Sequence, residues 1–452
     1  MENIKKYEVK CIGINDLALG EAYIEKKKQI LVPYLLSKEV GVVEVDKYTS
    51  RCKLVKLLKP SPVRITPKCT IYQKCGSCQV LHMKYEEQIN FKRDMVNRLF
   101  KEDRIPFSVR DIILASDVEG YRNKMQVAYK AKDGKVIYGF YEEDSHRIIP
   151  LEYCPNQSEK QNLIVKEIAK IMQELKITPY NEDKRTGVIR FALIREAKKT
   201  DQILVTIVTN GEMFPGRSEF VKRLRTRCPY ISTIIQNYNS RKTSIILGDQ
   251  ERVLFGSGYI EDVLCDIKFK ISSKTFYQVN PMQAEKLYNK VMEFGSFSKN
   301  DIVIDAYCGV GTIGMVASKY AKEVIGVENN KTSVQCAKMN AHDNNIKNIQ
   351  FVLDDATNYL VNLAKQNAKI DALIMDPPRS GSTVPFLEAV KRLRPKKVIY
   401  VSCDPHTLAR DLKLLMPNYT IENVCLVDMF VGTYHIESVC LLTNRAGNTK
   451  YN

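Results

Sequence analysis

No uninterrupted apolar run in the 452 residues is long enough to span a bilayer, and the opening MENIKKYEVK lacks the apolar stretch of a secretory signal. Neither a membrane partner nor export is expected, and the cytosol is the default address. That compartment is reducing, so the thirteen cysteines are not expected to form a disulfide framework. No thioredoxin-like pattern surrounds the single C-x2-C, which weakens a redox dithiol.

What is present is ordinary for a folded chain, with 44% hydrophobic and 27% charged residues and length for several domains. The formal charge of +17, with Lys+Arg 69 against Asp+Glu 52, suggests a polyanionic partner. The basic residues also cluster, at 25–28 (EKKK), 222–227 (KRLRTR) and 391–397 (KRLRPKK).

Short β-like runs near 7–13, 20–25, 29–34, 39–46 and 52–58 predict a small OB-like barrel over 1–62, a shape that often binds single-stranded nucleic acid. The proline-rich KPSPVRITP (59–67) reads as a linker. A helix is expected over 85–104, where Ile89, Met95, Val96 and Leu99 keep helical spacing. Strands near 123–130, 136–141, 188–195, 202–208, 231–238 and 243–247, with helices near 158–176 and 217–227, predict an α+β domain over 63–270. Arg122 and Lys124 share a face of its first strand and are either phosphate contacts or solvated.

Most cysteines sit singly in apolar runs (Cys228, Cys265, Cys308, Cys336, Cys425, Cys440) and read as core residues. Cys69-x5-Cys75-x2-Cys78, with Cys154-Pro155 downstream, is different. Four thiolates hold zinc or an iron–sulfur cluster. The lone knuckle, uneven spacing and Cys-Pro end favour [4Fe–4S] over zinc, and a metal-free group is the third reading.

From 302 onward strands and helices alternate, which predicts a doubly wound, mostly parallel sheet over 271–452, closed by an antiparallel pair at 420–429 and 436–443. The turn D-A-Y-C-G-V-G-T (305–312) follows its first strand, Glu328 ends the second and Asp355 follows the third. Glycines that admit close approach, an acid placed for ribose hydroxyls and one placed for an adenine amine make an adenosyl pocket. The short D-x-x-x-G-x-G turn favours S-adenosylmethionine over NAD. Asp376-Pro-Pro-Arg379 ends the fourth strand, Cys403 follows the fifth, and Glu437 starts the last. A thiol and a carboxylate beside a methyl donor suit methylation of pyrimidine carbon 5. Thiolate addition to carbon 6 activates carbon 5, and a base then removes its proton.

These motifs, together with KTFYQVNP (274–281), VSCDPHTLARDL (401–412) and HIES (435–438), resemble those of the RNA uracil-5-methyltransferase family. The resemblance implies a Rossmann-like methyltransferase domain, a TRAM-type N-terminal barrel and a central domain with an iron–sulfur site. It implies Cys403 as nucleophile and Glu437 as base, with Gln278, Tyr307, Glu328 and Asp376 binding S-adenosylmethionine. Cys69, Cys75, Cys78 and Cys154 would hold the [4Fe–4S] cluster. The expected partner is RNA, 23S rRNA before tRNA, and not DNA. Rival readings are a cytosine-5 RNA methyltransferase and a non-catalytic RNA-binding protein. The sequence departs from the family at Val431, where a proline is frequent.

Overall fold

Period-two burial builds the first unit of the computed structural model, which describes residues 4–445 except 26, 47, 143, 144, 146 and 244. Lys26 of the basic run at 25–28 and Ser244 of the expected strand at 243–247 therefore lie outside the described residues. Strands β1 (Ile4–Ile14), β2 (Leu19–Ile24), β3 (Lys28–Pro33), β4 (Val40–Asp46) and β5 (Cys52–Lys59) pair antiparallel in the order β3-β2-β1-β4-β5. In β4, Gly41, Val43 and Val45 point inward while their neighbours are part-exposed. The sheet curls until β3 lies beside β5. The proline-rich stretch after it is fastened rather than free: Arg64 pairs with buried Glu39 at 2.6 Å, and Ser61 N–H donates to the same carboxylate at 2.9 Å.

Next come α1 (Tyr85–Glu102), β6 (Asp111–Ile113), β7 (Lys124–Lys132), β8 (Lys135–Tyr141), β9 (Ile148–Pro150), α2 (Glu159–Glu174), β10 (Ile189–Glu196), β11 (Ile203–Thr209), α3 (Arg217–Arg227), β12 (Ile231–Tyr238) and β13 (Gln250–Phe255). Strands β7 to β13, with β6 excluded, form one sheet in the order β13-β12-β11-β10-β7-β8-β9, and α2 and α3 bury their apolar faces on it. The edge strand is β13, not 243–247. Asn239 Nδ2 donates to the carbonyls of Ile245 and Ile246 at 2.7 Å each and holds that segment as a loop. The hairpin β14 (Ile260–Leu264) and β15 (Ile267–Ile271) then leads into α4 (Pro281–Gly295), where Asn280 caps and Pro281 takes the first turn.

The last unit alternates β16 (Ile302–Ala306), α5 (Thr312–Ser318), β17 (Glu323–Glu328), α6 (Lys331–Asp343), β18 (Ile349–Leu353), α7 (Ala356–Lys365), β19 (Ala372–Met375), α8 (Val384–Leu393), β20 (Lys397–Ser402) and α9 (Pro405–Leu415), then ends in β21 (Tyr419–Val427) and β22 (Glu437–Asn444). Its sheet order is β18-β17-β16-β19-β20-β22-β21-β6. The first five strands are parallel, and β22 runs antiparallel to both neighbours. Both faces are covered: Ile399 and Val401 of β20 enter one core, Val398 and Tyr400 the other. Each fully buried aliphatic side chain there contributes roughly 1.5–3 kcal/mol. That double burial explains the continuous apolar runs.

Residues 85–113 cross the expected boundary at 270. Strand β6 pairs parallel with β21, and Met95, Val96, Leu99 and Phe100 of α1 pack in the core of the C-terminal sheet. The final strand pair is thus not the edge. No described helix is long and apolar enough to cross a membrane.

Candidate active site

In a doubly wound sheet, ligands sit beyond the carboxyl ends of the strands where the winding reverses. Here the chain winds outward from β16 to β17 and β18 on one side, and to β19 and β20 on the other. The turns after β16 and β19 therefore flank the switch point. Gln278, Tyr307, Gly309, Thr312 and Asp376 line one cavity there. Gly311 has φ 80°, and a Cβ on it would stand 2.6 Å from the Phe351 ring, so only glycine fits. Tyr307 takes φ 63° and stacks near Phe386, ring centroids 5.3 Å apart.

Two expected cofactor residues lie outside this lining. Glu328 stands at its edge, where one oxygen accepts the Gly309 N–H at 3.0 Å and the other the Asn330 N–H at 2.8 Å. Asp355 is exposed and caps α7, its Oδ1 accepting the N–H groups of Thr357 (2.9 Å) and Asn358 (3.1 Å).

Cys403 is fixed between a strand end and a helix cap. Asp404 caps α9 through the N–H groups of His406 and Thr407, and Ser402 Oγ donates to the Asp404 carbonyl at 2.9 Å. The β20–β22 ladder pairs Val401 with Val439 and Ser402 with Ser438. One step further, the register sets Cys403 opposite Glu437 on the face shared by Val401 and Val439. Directly opposed side chains have Cβ atoms about 4.5–5.5 Å apart.

The charges around them are shared. Burial pushes the Cys403 thiol up to about 12, the Glu437 and Asp376 carboxyls add to that, and Arg379 opposes it. Burial likewise pushes Glu437 up to about 8, with Asp376 adding and Arg379 opposing, and lifts Asp376 to about 7. His435, which lines the Cys403 cavity, is pushed down to about 4 by burial first and Arg379 second, and is neutral at pH 7. Arg379 is exposed, and the turn that follows it is held by a hub around buried Asp411. Asp411 accepts the Ser382 N–H (2.8 Å) and the Tyr400 O–H (2.7 Å), while Arg410 donates to the carbonyls of Ser380 and Ser382, both at 3.0 Å.

A raised carboxyl stabilises the fold below its unfolded pKa, and that stability is lost as pH rises through the folded value. For Glu437 the window runs from its ordinary 4.5 to about 8. Over the same window the group gains the charge that a base needs. Turnover is therefore expected to rise with pH up to about 8 while the unfolding temperature falls. A rate that declines between pH 6 and 8 would contradict this assignment.

The loop carrying Glu437 is anchored from distant parts of the chain. Lys92 and Asp428 form an ion pair of 2.6 Å with both side chains fully buried, Lys92 also donates to the Phe430 carbonyl at 3.0 Å, and Tyr85 O–H donates to Asp428 at 2.9 Å. Val80 N–H donates to the Gly432 carbonyl at 2.9 Å, and Tyr121 O–H donates to that of Val431 at 3.1 Å. The residue that replaces a proline is thus buried and held through its backbone. Replacing Asp428 by alanine would leave the Lys92 ammonium uncompensated. The expected loss is about 3–5 kcal/mol in denaturant titration, and an unchanged midpoint would contradict it.

Cys69, Cys75, Cys78 and Cys154 line a second cavity of about 340 Å³, together with Arg122 and Lys124. Both cations turn into it rather than towards solvent. Arg122 Nε is buried without a hydrogen-bond partner among the described residues. Asn156 Nδ2 donates to Cys78 Sγ at 3.2 Å. Burial pushes the Cys78 thiol up to about 12 and that of Cys154 to about 11, with Arg122 opposing both. Among the described residues, no three His, Cys, Asp or Glu side chains converge closely enough to hold a single metal ion. Of the cysteines read as core, Cys336 is only half-buried.

Part of the charge of two basic clusters expected to face nucleic acid is paired within the fold. On α3, Arg223 and Arg227 pair with Glu174, and Arg225 stacks on Phe255, 3.7 Å from the ring centroid. Lys391 pairs with Glu388, and Lys396 with Asp371 at 2.9 Å.

A doubly wound sheet with a glycine turn at its switch point, and a thiol and carboxyl near it, is the layout of an S-adenosylmethionine-dependent methyltransferase. Residues 84–445 match the family model described as tRNA (uracil-5-)-methyltransferase. The chain belongs to this family of RNA uracil-5 methyltransferases. It is 39% identical over 407 residues to an uncharacterized RNA methyltransferase of Clostridium tetani, covering 90% of this chain and 88% of the other. With one from Halalkalibacterium halodurans it is 36% identical, covering 97% and 98%. The crystal structure of Pyrococcus abyssi tRNA (uracil-54, C5)-methyltransferase with S-adenosyl-L-homocysteine superposes with a TM-score of 0.79 at 27% identity, covering 97% of this chain and 100% of that one.

Proposed function

We propose that the protein methylates carbon 5 of uridine in 23S rRNA. The observation that carries this reading is that Cys403 follows the Ser402–Ser438 end of the β20–β22 ladder, where Glu437 begins β22, close enough that the Glu437 and Asp376 charges both act on its thiol. The Cys403 thiolate adds to uracil carbon 6, which makes carbon 5 an enolate carbon. When bound, S-adenosylmethionine would supply the methyl group that carbon 5 takes and would depart as S-adenosylhomocysteine. Glu437 takes the carbon-5 proton, and Cys403 leaves as carbon 5 regains its double bond. Arg379, opposing both shifts, favours the ionised states that these steps need. Gln278, Tyr307 and Asp376 would bind the methyl donor in the cavity they share, Glu328 the ribose, and Asp355 the adenine through the oxygen not engaged in its cap.

The four cysteines fit a [4Fe–4S] cluster. Arg122 and Lys124 supply cations for its negative charge. Purified without oxygen, the protein is expected to be brown with about four irons. Colourless, zinc-loaded protein would contradict the assignment.

The OB-like first sheet reads as a TRAM-type barrel. The choice of 23S rRNA, in the cytosol, rests on the resemblance of the cysteine spacing and not on this sheet, which the superposed tRNA enzyme largely covers. The tRNA enzyme of P. abyssi favours tRNA as the second reading. Mapping 5-methyluridine in both RNAs from a strain lacking this protein decides: loss from 23S rRNA supports the proposal, loss from tRNA alone overturns its choice of RNA.

A further inference from the structure

The cavity over Cys403 has a wall to which no role has been given. Arg379, Tyr434 and His435 line one part of it, and Asp16 and Leu17 another. Those last two come from the turn between β1 and β2, in the first sheet of the chain.

This turn is built to hold its place. Asn15 Oδ1 accepts the N–H groups of Leu17 (3.1 Å) and Leu19 (2.9 Å). Ala18, at φ 60°, is buried in a small core with Val80 and Met83, and Tyr434 of the Glu437 loop packs on the same core. The Asp16 carboxylate pairs with Arg98 of α1 and stands 3.5 Å from His406 Nε2 at the start of α9. The turn is thus fastened to three elements around the nucleophile. Leu17 nevertheless remains 51% exposed. An isobutyl group held in water at the mouth of this cavity offers an apolar face for a flat partner.

We propose that the β1–β2 turn is a specificity-determining wall of the target-nucleotide cavity. Leu17 packs against the extruded nucleotide, and the ion pair of Asp16 with Arg98 holds the turn in place for that contact, while exposed Arg379 faces the phosphates. The N-terminal sheet then screens which uridine reaches Cys403. This rests on the reading of Cys403 as a nucleophile towards RNA.

The test is steady-state methylation of target RNA by the full-length Leu17→Ala variant, with Leu17→Met as the conservative control. Loss of an apolar wall is expected to raise KM for RNA about tenfold, with a much smaller change in kcat. S-adenosylhomocysteine affinity should stay unchanged, and Leu17→Met should restore KM. Methylation should also spread to uridines that the wild type leaves alone. An active wild type with an unaltered KM and site pattern in Leu17→Ala would overturn this proposal alone. A wild type inactive on every RNA would overturn the underlying reading and this proposal with it.

Discussion

Replacing Cys403 by alanine is expected to lower methyl transfer to RNA at least about a thousandfold, with the fold and S-adenosylhomocysteine binding intact. The expectation follows from where the side chain sits. Cys403 lies one residue past β20, half-buried, and lines a cavity rather than a core. The packing of β20 is carried by Val398, Ile399, Tyr400 and Val401, and the start of α9 by the Asp404 cap. None of these needs the thiol. Uracil carbon 5 does need it, because the carbon is too weak a nucleophile until a thiolate has added to carbon 6. Serine should not rescue, since its hydroxyl ionises far less readily at neutral pH. Activity within tenfold of wild type would show that carbon 6 is not attacked by this residue.

Glu437→Gln is expected to fail at a later step and to leave a different trace. Glutamine keeps the shape of the side chain at the start of β22 but cannot take a proton from carbon 5. Cys403 would still add to the base, and the methyl group would still transfer. Elimination would then stall, because the carbon-5 proton must leave before the Cys403–carbon 6 bond breaks. The variant should accumulate a covalent protein–RNA adduct stable to denaturing electrophoresis, with multiple turnover reduced at least about a thousandfold. The two variants thus separate by species: no adduct with Cys403→Ala, a persistent methylated adduct with Glu437→Gln. The glutamine variant should also lose the fall in stability between pH 4.5 and about 8 that the raised carboxyl causes. Normal turnover without adduct would remove Glu437 from the base role.

Much of the architecture was legible because it is local. Strand and helix runs from 302 onward reappear within a few residues, since each β–α unit sets a short apolar strand beside an amphipathic helix. What was not legible depends on contacts between distant residues. Nothing in the sequence of 111–113 announces a strand added beside β21, nor does Lys92 announce a partner at Asp428. Helix α4 has its start signal in Asn280-Pro281, at the end of the KTFYQVNP stretch. The basic runs at 222–227 and 391–397 looked like a nucleic-acid surface, but a one-dimensional reading cannot see Glu174, Glu388 or Asp371 across from them. Asp355 was read as a ligand contact, and the structure gives one of its oxygens a capping duty that its place before a helix already signalled. Arg379 and His435 lie inside motifs read for their carboxylates, the Asp16–Leu17 turn carries no motif, and only the fold brings the three around Cys403.

The most direct measurement is made on the RNA product. RNA methylated by the purified protein with isotopically labelled S-adenosylmethionine is digested to nucleosides and the labelled nucleoside is identified. The label in 5-methyluridine is the predicted result. Label in 5-methylcytidine or in a nitrogen-methylated base, or no label in any RNA, would contradict the account.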